Sequence, residues 1–389
     1  MRRRVPPPWL AVMLLTALVL YTDDYVIAGI LPDIAADLDV SEPAAGQLVT
    51  AFSLTVALSA PPAAVLLAGV RRSRLFTVAL GAFAAVNVAA ACAPDLAVLL
   101  VLRVLAALCT GAVTPAVFSW TAAQAPPEKV GRYVAVVAMG VTGAIALGVP
   151  VGVAVAHAAG WRANFLVLAA AAVVCLLAVR ATMSSDPRGE PAASPLAQLR
   201  AVAARPVATA LLGNLVAISG SMMALTYLAP YLAAAHPGQD LRAVAFAASG
   251  AAGVAGVLLG GALADRLGPR CTLLLGVGVL AGGLVGAGLL AAAPPAPAAA
   301  LVAVVAAQAL GAFTLSPALT AWYFTVGGDG AESAVALNTS GTYLGVAVAG
   351  ALGGWVLATG GPGVVPLAAT ACALAALAAF AAAGWRTSP

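Results

Sequence analysis

Charged side chains are scarce in this chain of 389 residues, where Asp, Glu, Lys and Arg together make up 8%. An ordinary soluble domain contains roughly 25%. Hydrophobic residues make up 63% of the chain, and the mean hydropathy is +1.04. A soluble globule with so few charges would leave large apolar patches in water. The composition therefore excludes a cytosolic enzyme, a secreted disulfide scaffold, a disordered chain and a nucleic-acid-binding module, and it predicts a protein that crosses the membrane many times.

Residues that commonly carry catalysis are also few. The chain has two histidines and five cysteines, and the cysteines occur singly, without a CxxC pair. That spacing indicates neither a zinc site nor a disulfide framework. The chain has no HExxH sequence and no Walker sequence, which argues against a membrane enzyme and against an ATP-driven pump. We predict no catalytic residues, no metal site and no cofactor.

Most of the chain consists of twelve apolar runs. A helix needs about 20 residues to cross the hydrocarbon core of a bilayer, and these runs are of that length. They do not alternate polar and apolar residues as the strands of a membrane barrel do. Since lipid cannot satisfy open sheet edges, we predict an all-α membrane protein with twelve transmembrane helices. The runs lie near residues 9–31, 46–68, 75–93, 96–122, 133–156, 164–182, 207–233, 243–263, 271–292, 298–322, 334–358 and 364–384.

Basic residues concentrate on one side of the predicted membrane. With the runs placed as above, 15 of the 18 Lys and Arg residues fall on one side, Arg162 and Arg242 fall on the other, and Arg103 lies inside the fourth run. Lys and Arg accumulate in cytoplasmic loops. We therefore predict a multi-pass protein of the cytoplasmic membrane with both termini in the cytoplasm. The acidic segment DIAADLDVSE at 33–42 falls on the outer side, as this orientation requires.

The two halves of the sequence repeat each other. GVRRSRLFTVALG from Gly69 aligns with ADRLGPRCTLLLG from Ala264, and one long connection separates the sixth run from the seventh. Six spans plus six, related as parallel repeats, are typical of many secondary transporters. We predict an N-terminal six-helix bundle over 1–182, a cytoplasmic linker over 183–206 that includes a short amphipathic helix, LAQLRAVAA, and a pseudo-symmetric C-terminal six-helix bundle over 207–389.

Three charged residues fall inside apolar runs. Asp23 and Asp24 lie about 13 Å from Pro32, and Arg103 lies about 12 Å from Asp95, at 1.5 Å per helical residue. An isolated charge at that depth is costly, so intramembrane charges usually pair and usually serve a function. We predict that Arg103 forms an ion pair with Asp23 or Asp24, and that these residues couple transport to protons, with Asp24 the favoured carrier.

Four segments resemble signatures of the major facilitator superfamily. They are TDDYVIAGILPDIAADLDVS from Thr22, LLVLRVLAALCTGAVTPA from Leu99, GVTGAIALGVPVG from Gly140 and GALADRLGPR from Gly261. The resemblance is to its twelve-span drug:proton antiporter branch, near chloramphenicol-resistance and sugar-efflux-like exporters. It implies proton-coupled export of small amphipathic molecules, such as drugs or antibiotics, by alternating access. The N-terminal copy of the last segment, AGVRRSRL, keeps the basic residues and lacks the Asp.

The resemblance also assigns roles along the chain. It implies a hinge in the fifth span at Gly148, Pro150 and Gly152, where Pro removes a helix hydrogen bond and Gly permits close helix packing. It implies a conformational clamp between the eighth and ninth spans, and a substrate cavity lined by the first and seventh spans. The clamp residues are Gly261, Asp265, Arg266 and Arg270, and the cavity residues are Tyr25, Asn214, Met222, Met223 and Tyr227.

Three other classes of function stay open at this point. A facilitator or proton symporter for a sugar, nucleoside or other small metabolite would have the same spans, although the GVPVG stretch resembles the antiporter motif. A membrane enzyme would need a cluster of catalytic groups. A receptor or scaffold would tolerate loss of the intramembrane charges. The expected partners are a small-molecule substrate, protons and the lipid bilayer, with no nucleic acid, and we expect a monomer.

Overall fold

The structure is a computed structural model that describes residues 7–126, 129–183, 205–326 and 330–382. Within these ranges the regular structure is helical, with a π-helical turn at Ala144–Gly148 and a 3-10 turn at Pro362–Val364. The helices are α1 (Pro8–Asp37), α2 (Glu42–Leu66), α3 (Arg72–Ala91), α4 (Leu96–Gln124), α5 (Val130–Gly143), α6 (Val149–Ala159), α7 (Arg162–Thr182), α8 (Arg205–Thr226), α9 (Leu228–Ala235), α10 (Arg242–Leu267), α11 (Pro269–Ala291), α12 (Ala298–Val326), α13 (Ala331–Gly360) and α14 (Val365–Ala382).

Twelve helical segments are long and apolar enough to cross a membrane, which confirms the predicted number and the all-α class. One of them is the continuous segment Val130–Ala159, which joins α5, the π turn and α6. The start of α4 is capped by a side chain, because the Asp95 carboxylate accepts the backbone N–H of Val98 at 2.9 Å. We call the end of the bundle that carries Asp33, Asp37 and Asp240 the acidic end, and the opposite end the basic end.

The helices form two six-helix bundles with matching internal contacts. In the N-terminal bundle, α1 packs on α5 and α6, α2 on α4, and α3 on α7. In the C-terminal bundle, α8 packs on α13, α10 on α12, and α11 on α14, which are the same pairings six spans later. Between the bundles, α2 packs on α13, while the π turn and α6 pack on α10. The repeat seen in the sequence is therefore a repeat of packing.

The first helix is longer than its apolar run. α1 continues through Pro32 to Asp37, so the predicted outer loop at 33–42 shrinks to the four residues 38–41. Proline removes only one intrahelical hydrogen bond, and neighbouring groups can satisfy what it frees. Here Arg242 from α10 donates to the carbonyl of Gly29 at 3.0 Å, close to the carbonyl that Pro32 leaves unbonded.

The seventh run, predicted as one segment over 207–233, is broken in the structure. α8 ends at Thr226, Tyr227 forms a turn, and α9 begins at Leu228. Pro230 has no N–H to donate to the carbonyl of Thr226, which explains a break one residue later.

Most of the predicted linker over 183–206, including LAQLRAVAA, lies outside the described residues. The boundaries of the two predicted domains therefore remain predictions.

Candidate functional site

The fifth crossing is irregular at the predicted hinge. α5 passes into the π turn at Ala144–Gly148, and α6 begins at Val149. Pro150 lies in the first turn of α6 and cannot donate to the carbonyl of Ala146. The π turn accommodates this missing bond, and such turns often occur at functional sites. The irregularity is thus present at Gly148 and Pro150, while a hinge motion there remains a prediction.

Two glycines of this crossing let α1 approach closely. A Cβ atom added to Gly148 would lie 2.3 Å from Oγ1 of Thr22, and one added to Gly152 would lie 2.3 Å from Cγ2 of Val26. These separations are far below van der Waals contact, so any side chain at either position would push the helices apart. The contacts on α1 flank Asp23 and Asp24, and they hold that stretch of α1 in the interior.

Arg103 of α4 forms a buried ion pair with Asp23 of α1. Its Nη1 lies 2.7 Å from Oδ2 of Asp23, and its Nη2 donates to the backbone carbonyl of Asp23 at 2.9 Å. The two side chains are 1% and 0% exposed. The guanidinium also lies over the ring of Phe52, with Cζ 4.2 Å from the ring centroid. The ion pair expected from the sequence is confirmed, and its role in transport remains a prediction.

Asp24 is buried but has no ion-pair partner of its own. Its side chain is 4% exposed, and among the described residues no basic nitrogen lies within 4 Å of its carboxylate. The charged groups that act on it are Arg103 and Asp23, and Arg103 is already paired. With both acids ionised, this group of three residues carries one net negative charge.

Three tyrosines lie around Asp24. The rings of Tyr21 and Tyr25 stack with centroids 6.4 Å apart and planes 16° apart. Tyr343 comes from α13 of the other bundle, yet it is buried in the hydrophobic core of the N-terminal bundle, against which Tyr21 packs. All three interact electrostatically with Asp24. The Tyr343 hydroxyl lies near that of Tyr21, but it is buried without a hydrogen bond of standard geometry to any described residue.

Tyr25 is predicted from the sequence as a cavity residue, whereas Tyr21 and Tyr343 are not predicted. A signal for Tyr21 was available, because residues 21, 24 and 25 are spaced to share one face of a helix. No sequence signal places Tyr343 beside them, since it reaches the site from another bundle.

Most of the predicted cavity residues in the seventh span are packed against α13. Tyr227 is fully buried and donates to the carbonyl of Gly350 at 2.6 Å. Asn214 donates to Oγ1 of Thr342 at 3.0 Å. Met222 and Met223 are 6% and 0% exposed. In this conformation Asn214 and Tyr227 contact α13, and only Tyr25 of the predicted set lies beside the intramembrane charges.

The predicted clamp segment forms the connection between α10 and α11 at the basic end. Gly268, with φ of 82°, is the one residue between the two helices, and this backbone conformation favours glycine. Arg270 donates from Nη2 to the carbonyl of Ala381 in the last turn of α14, at 3.1 Å. A cation at that position also suits the negative end of the helix dipole.

The other clamp residues make no comparable contact. Asp265 and Arg266 are exposed, and Gly261 is half-buried. Among the described residues, no ion pair within 4 Å includes Asp265 or Arg266. The structure brings Arg270 to the end of α14, but among the described residues it does not bring Asp265 to an ion-pair partner.

Arg242 connects the two bundles at the acidic end. Its Nη1 lies 2.6 Å from Oδ2 of Asp33 on α1, and its Nη2 lies 2.8 Å from Oδ2 of Asp240. His157 of α6 completes this group, which we call the acidic-end latch. The Nε2 atom of His157 lies 2.6 Å from Arg242 Nη2 and 3.0 Å from Asp240 Oδ2. Among the described residues, all ion pairs between the bundles belong to this latch.

Asp240, the carboxylate of the latch beside Arg242, stays ionised well into acid. Burial raises the pKa of Asp240, but its hydrogen bonds with Arg242 and the nearby positive charge outweigh burial and hold the pKa below its usual value. A carboxylate with a lowered pKa stabilises the folded arrangement above its ordinary pKa, about 3.9, and loses that contribution only as the pH falls further. This latch is not among the predicted sites. The signal was Arg242 itself, one of two basic residues on the side where basic residues are rare.

Arg242→Ala should loosen the acidic end. It removes the ion pair with Asp33 that joins the bundles, and for a partly exposed pair we expect a shift of about 1 kcal/mol, or roughly fivefold in population, toward conformers open at this end. Hydrogen–deuterium exchange on the full-length protein should show faster exchange near residues 33–37 and 240–246. Arg162→Ala is the matched control, because Arg162 pairs with Asp37 at the same end but within one bundle. Equal effects of the two variants would contradict a latch between bundles.

An apolar groove lies between α2 of one bundle and α8 and α13 of the other. Its volume is about 370 Å³. The lining residues are Ala57, Leu58, Leu211, Leu212, Leu215, Leu337, Ser340, Gly341 and Leu344.

The sequence profile of the Major Facilitator Superfamily matches residues 13–330. The chain belongs to this superfamily. It is 34% identical over 221 residues to the MFS-type transporter YbcL of Bacillus subtilis, covering 57% of this chain and 56% of YbcL. It is 35% identical over 253 residues to a chloramphenicol resistance protein of Streptomyces lividans, covering 63% of this chain and 64% of that protein. The matches thus span less than two thirds of the length of these relatives.

A solved structure shares the fold of this superfamily member over nearly its whole length. It is a bacterial homolog to the human lysosomal transporter Spinster in an inward-facing and occupied conformation, with a TM-score of 0.75 and 18% identity, and the match covers 96% of each chain. At this identity the likeness concerns the fold alone. With its twelve apolar crossings, this superfamily member is a multi-pass membrane protein.

Proposed function

We propose that the protein is a proton-coupled secondary active exporter that exchanges protons for small amphipathic molecules, such as drugs or antibiotics, by alternating access. The observation that supports this most is the buried group of Asp23, Asp24 and Arg103. Two carboxylates lie near one guanidinium inside the membrane, and since Arg103 pairs with Asp23, Asp24 lacks a counter-charge of its own. A lone ionised carboxylate is costly at this depth, and binding a proton removes that cost.

In this proposal, Asp23 and Asp24 have different chemical roles. Asp23 is held by two hydrogen bonds from Arg103, so it stays ionised as part of a neutral pair. Asp24 has no such partner among the described residues, so it is the carboxylate that takes up and releases the proton. Asn214, Met222, Met223 and Tyr227 would then act as cavity residues only after α8 and α13 rearrange.

Alternating access needs elements that hold one state and elements that bend. The acidic-end latch holds the bundles together at one end. The π turn at Gly148 and Pro150, with Gly152 beyond it, supplies a place where the fifth crossing can bend. The segment of Gly261, Asp265, Arg266 and Arg270 acts as the clamp at the basic end, where Asp265 gains a partner in the alternative state. We place the basic end and both termini in the cytoplasm, in the cell membrane, and expect the protein to work as a monomer.

Exchange of protons for substrate is directly measurable. A growth-inhibition panel of antibiotics and dyes, with and without expression of the protein, would first identify a substrate. The purified full-length protein should then, in liposomes with an imposed pH gradient and an internal pH-sensitive dye, move protons in the direction opposite to that substrate. Liposomes without protein, and liposomes treated with a protonophore, are the controls.

Two outcomes would overturn this proposal. Protons moving in the same direction as a sugar or nucleoside would indicate a symporter. Substrate flux that ignores the pH gradient would indicate a facilitator.

A further inference from the structure

We infer that His157 is a pH-responsive member of the acidic-end latch, and that its protonation favours the conformation in which the two bundles are closed at this end. The device regulates the conformational equilibrium, so it acts apart from the intramembrane carboxylates and does not depend on which substrate is carried. Three features of the described residues support it: the position of His157 between the bundles, the contacts of its Nε2 atom and the net charge of the latch.

His157 lies at the contact between the two bundles. It belongs to the last turn of α6 in the N-terminal bundle, and its Nε2 atom lies 3.0 Å from Oδ2 of Asp240, just before α10 in the C-terminal bundle. The two side chains are 51% and 36% exposed, so the imidazole can exchange protons with the solution at this end. A positive charge here also suits the negative end of the α6 dipole. Protonation therefore adds an ion pair between the bundles, beside the pair of Arg242 and Asp33.

The Nε2 atom of His157 has two neighbours with opposite requirements. Arg242 Nη2, at 2.6 Å, is a donor and needs a lone pair on Nε2, whereas Asp240 Oδ2 is an acceptor and needs a proton there. Neutral imidazole satisfies only one of them at a time, because Nε2 carries either the lone pair or the proton. Protonated imidazole donates to Asp240 and gives up Arg242. The guanidinium loses little by this change, since it keeps its bonds to Asp240, to Asp33 and to the carbonyl of Gly29.

The latch lacks one positive charge when His157 is neutral. Arg242 supplies one positive charge, and it faces the two carboxylates of Asp33 and Asp240. With both acids ionised, the latch therefore carries one net negative charge. A proton on His157 brings the net charge to zero, with one cation for each carboxylate.

The surroundings of α6 do not supply the missing positive charge by other means. α6 packs on α1, on the π turn, on α7 and on α10. Among the described residues, the other charged groups that these elements carry at the acidic end are Asp37 and Arg162, and they pair with each other. The π turn, AIALG, carries no charge. His157 is thus the position at which the latch gains its compensating charge.

The change of charge falls in a range of pH that the solution can reach. Histidine ordinarily changes charge between about pH 5 and pH 8, whereas carboxylates and guanidinium groups ordinarily titrate well outside that range. Because the proton is bound more favourably where His157 faces Asp240, closure is favoured as the pH falls and weakens as the pH rises. For an exposed pair, the expected change is roughly two- to fivefold in the ratio of closed to open protein. The latch thus keeps the acidic end shut when the solution there is acidic.

Closure at the acidic end can be measured as a distance between two spin labels. Labels on Ala36→Cys in α1 and on Pro237→Cys before α10 report the separation of the bundles, since both positions are exposed. The full-length protein without its native cysteines is placed in lipid nanodiscs without substrate. The ratio of the short to the long distance should rise roughly two- to fivefold from pH 8 to pH 6. His157→Gln, which stays neutral, should hold this ratio nearly constant between the two pH values.

His236→Gln is the matched control. His236 is the other histidine of the chain and lies at the same end. Its ring contacts the carbonyl of Ala296 and the side chain of Gln239, and among the described residues no ion pair within 4 Å includes it. This variant should keep the pH response of the unmodified protein. Melting temperatures measured for each variant separate loss of the response from loss of folding.

Three results would overturn the pH-responsive latch. They are distances that do not change with pH in the unmodified protein, a shift toward the open form in acid, and a full response in His157→Gln. A response that persists in His157→Gln but disappears in Asp24→Asn would belong to the intramembrane carboxylate instead. Because the measurement uses neither substrate nor a pH gradient, its failure would leave the proposed exporter standing, and failure of proton-driven export would leave the latch standing.

Discussion

Arg103→Ala is expected to destabilise the protein by about 3–5 kcal/mol, the range for removing one partner of a buried ion pair. Arg103 makes two hydrogen bonds with Asp23 and lies over the ring of Phe52. Without the guanidinium, an ionised Asp23 would be left buried and unpaired between α1 and α4. The effect should appear as a lower melting temperature of the full-length protein in detergent and a lower yield of monodisperse protein.

Two further variants make this prediction specific. The double variant Asp23→Asn with Arg103→Ala removes both charges, so it should recover much of the stability that Arg103→Ala loses. Arg103→Lys should recover only part, because an ammonium group lacks the planar fork that bonds both the carboxylate and the carbonyl of Asp23. If the double variant is no more stable than Arg103→Ala, the loss comes from packing against Phe52 and not from the ion pair.

Asp24→Asn is expected to abolish transport driven by a pH gradient while leaving the protein folded. The amide is nearly the same size as the carboxylate, but it cannot bind and release a proton. Because Asp24 has no ion-pair partner among the described residues, its replacement leaves no charge uncompensated. Proton movement in liposomes should fall to the level of protein-free liposomes, with the melting temperature within a few degrees of the unmodified protein.

Asp23→Asn is the matched comparison for Asp24→Asn. It is the adjacent residue and the same chemical change, but it leaves Arg103 buried without its counter-charge, so stability should fall together with transport. A variant at position 24 that loses transport alone, beside a variant at position 23 that loses both, would assign the proton to Asp24. Retention of gradient-driven transport by both single variants would show that neither carboxylate carries the proton.

Much of the architecture is predictable from the sequence because the bilayer imposes strict rules. A span must be apolar and about 20 residues long, and all of its backbone hydrogen bonds must be internal, so twelve apolar runs become twelve helices. The same rules single out Asp23, Asp24 and Arg103, because a charged side chain at that depth is costly and is usually paired or functional. The Pro150 region was predictable for a similar reason, because the missing N–H of proline disrupts a helix wherever it occurs.

The tertiary structure alone decides which of these groups meet. Adjacent residues on a helix point about 100° apart, so only the packing of α4 against α1 selects Asp23 and leaves Asp24 without a partner. Tyr343 joins the site from the other bundle, and Arg242 reaches Asp33 across 209 positions of the chain. Periodicity describes one helix at a time and carries no information about such contacts. They arise from the packing of the helices and of the two six-helix bundles, which brings together side chains that are far apart in the sequence.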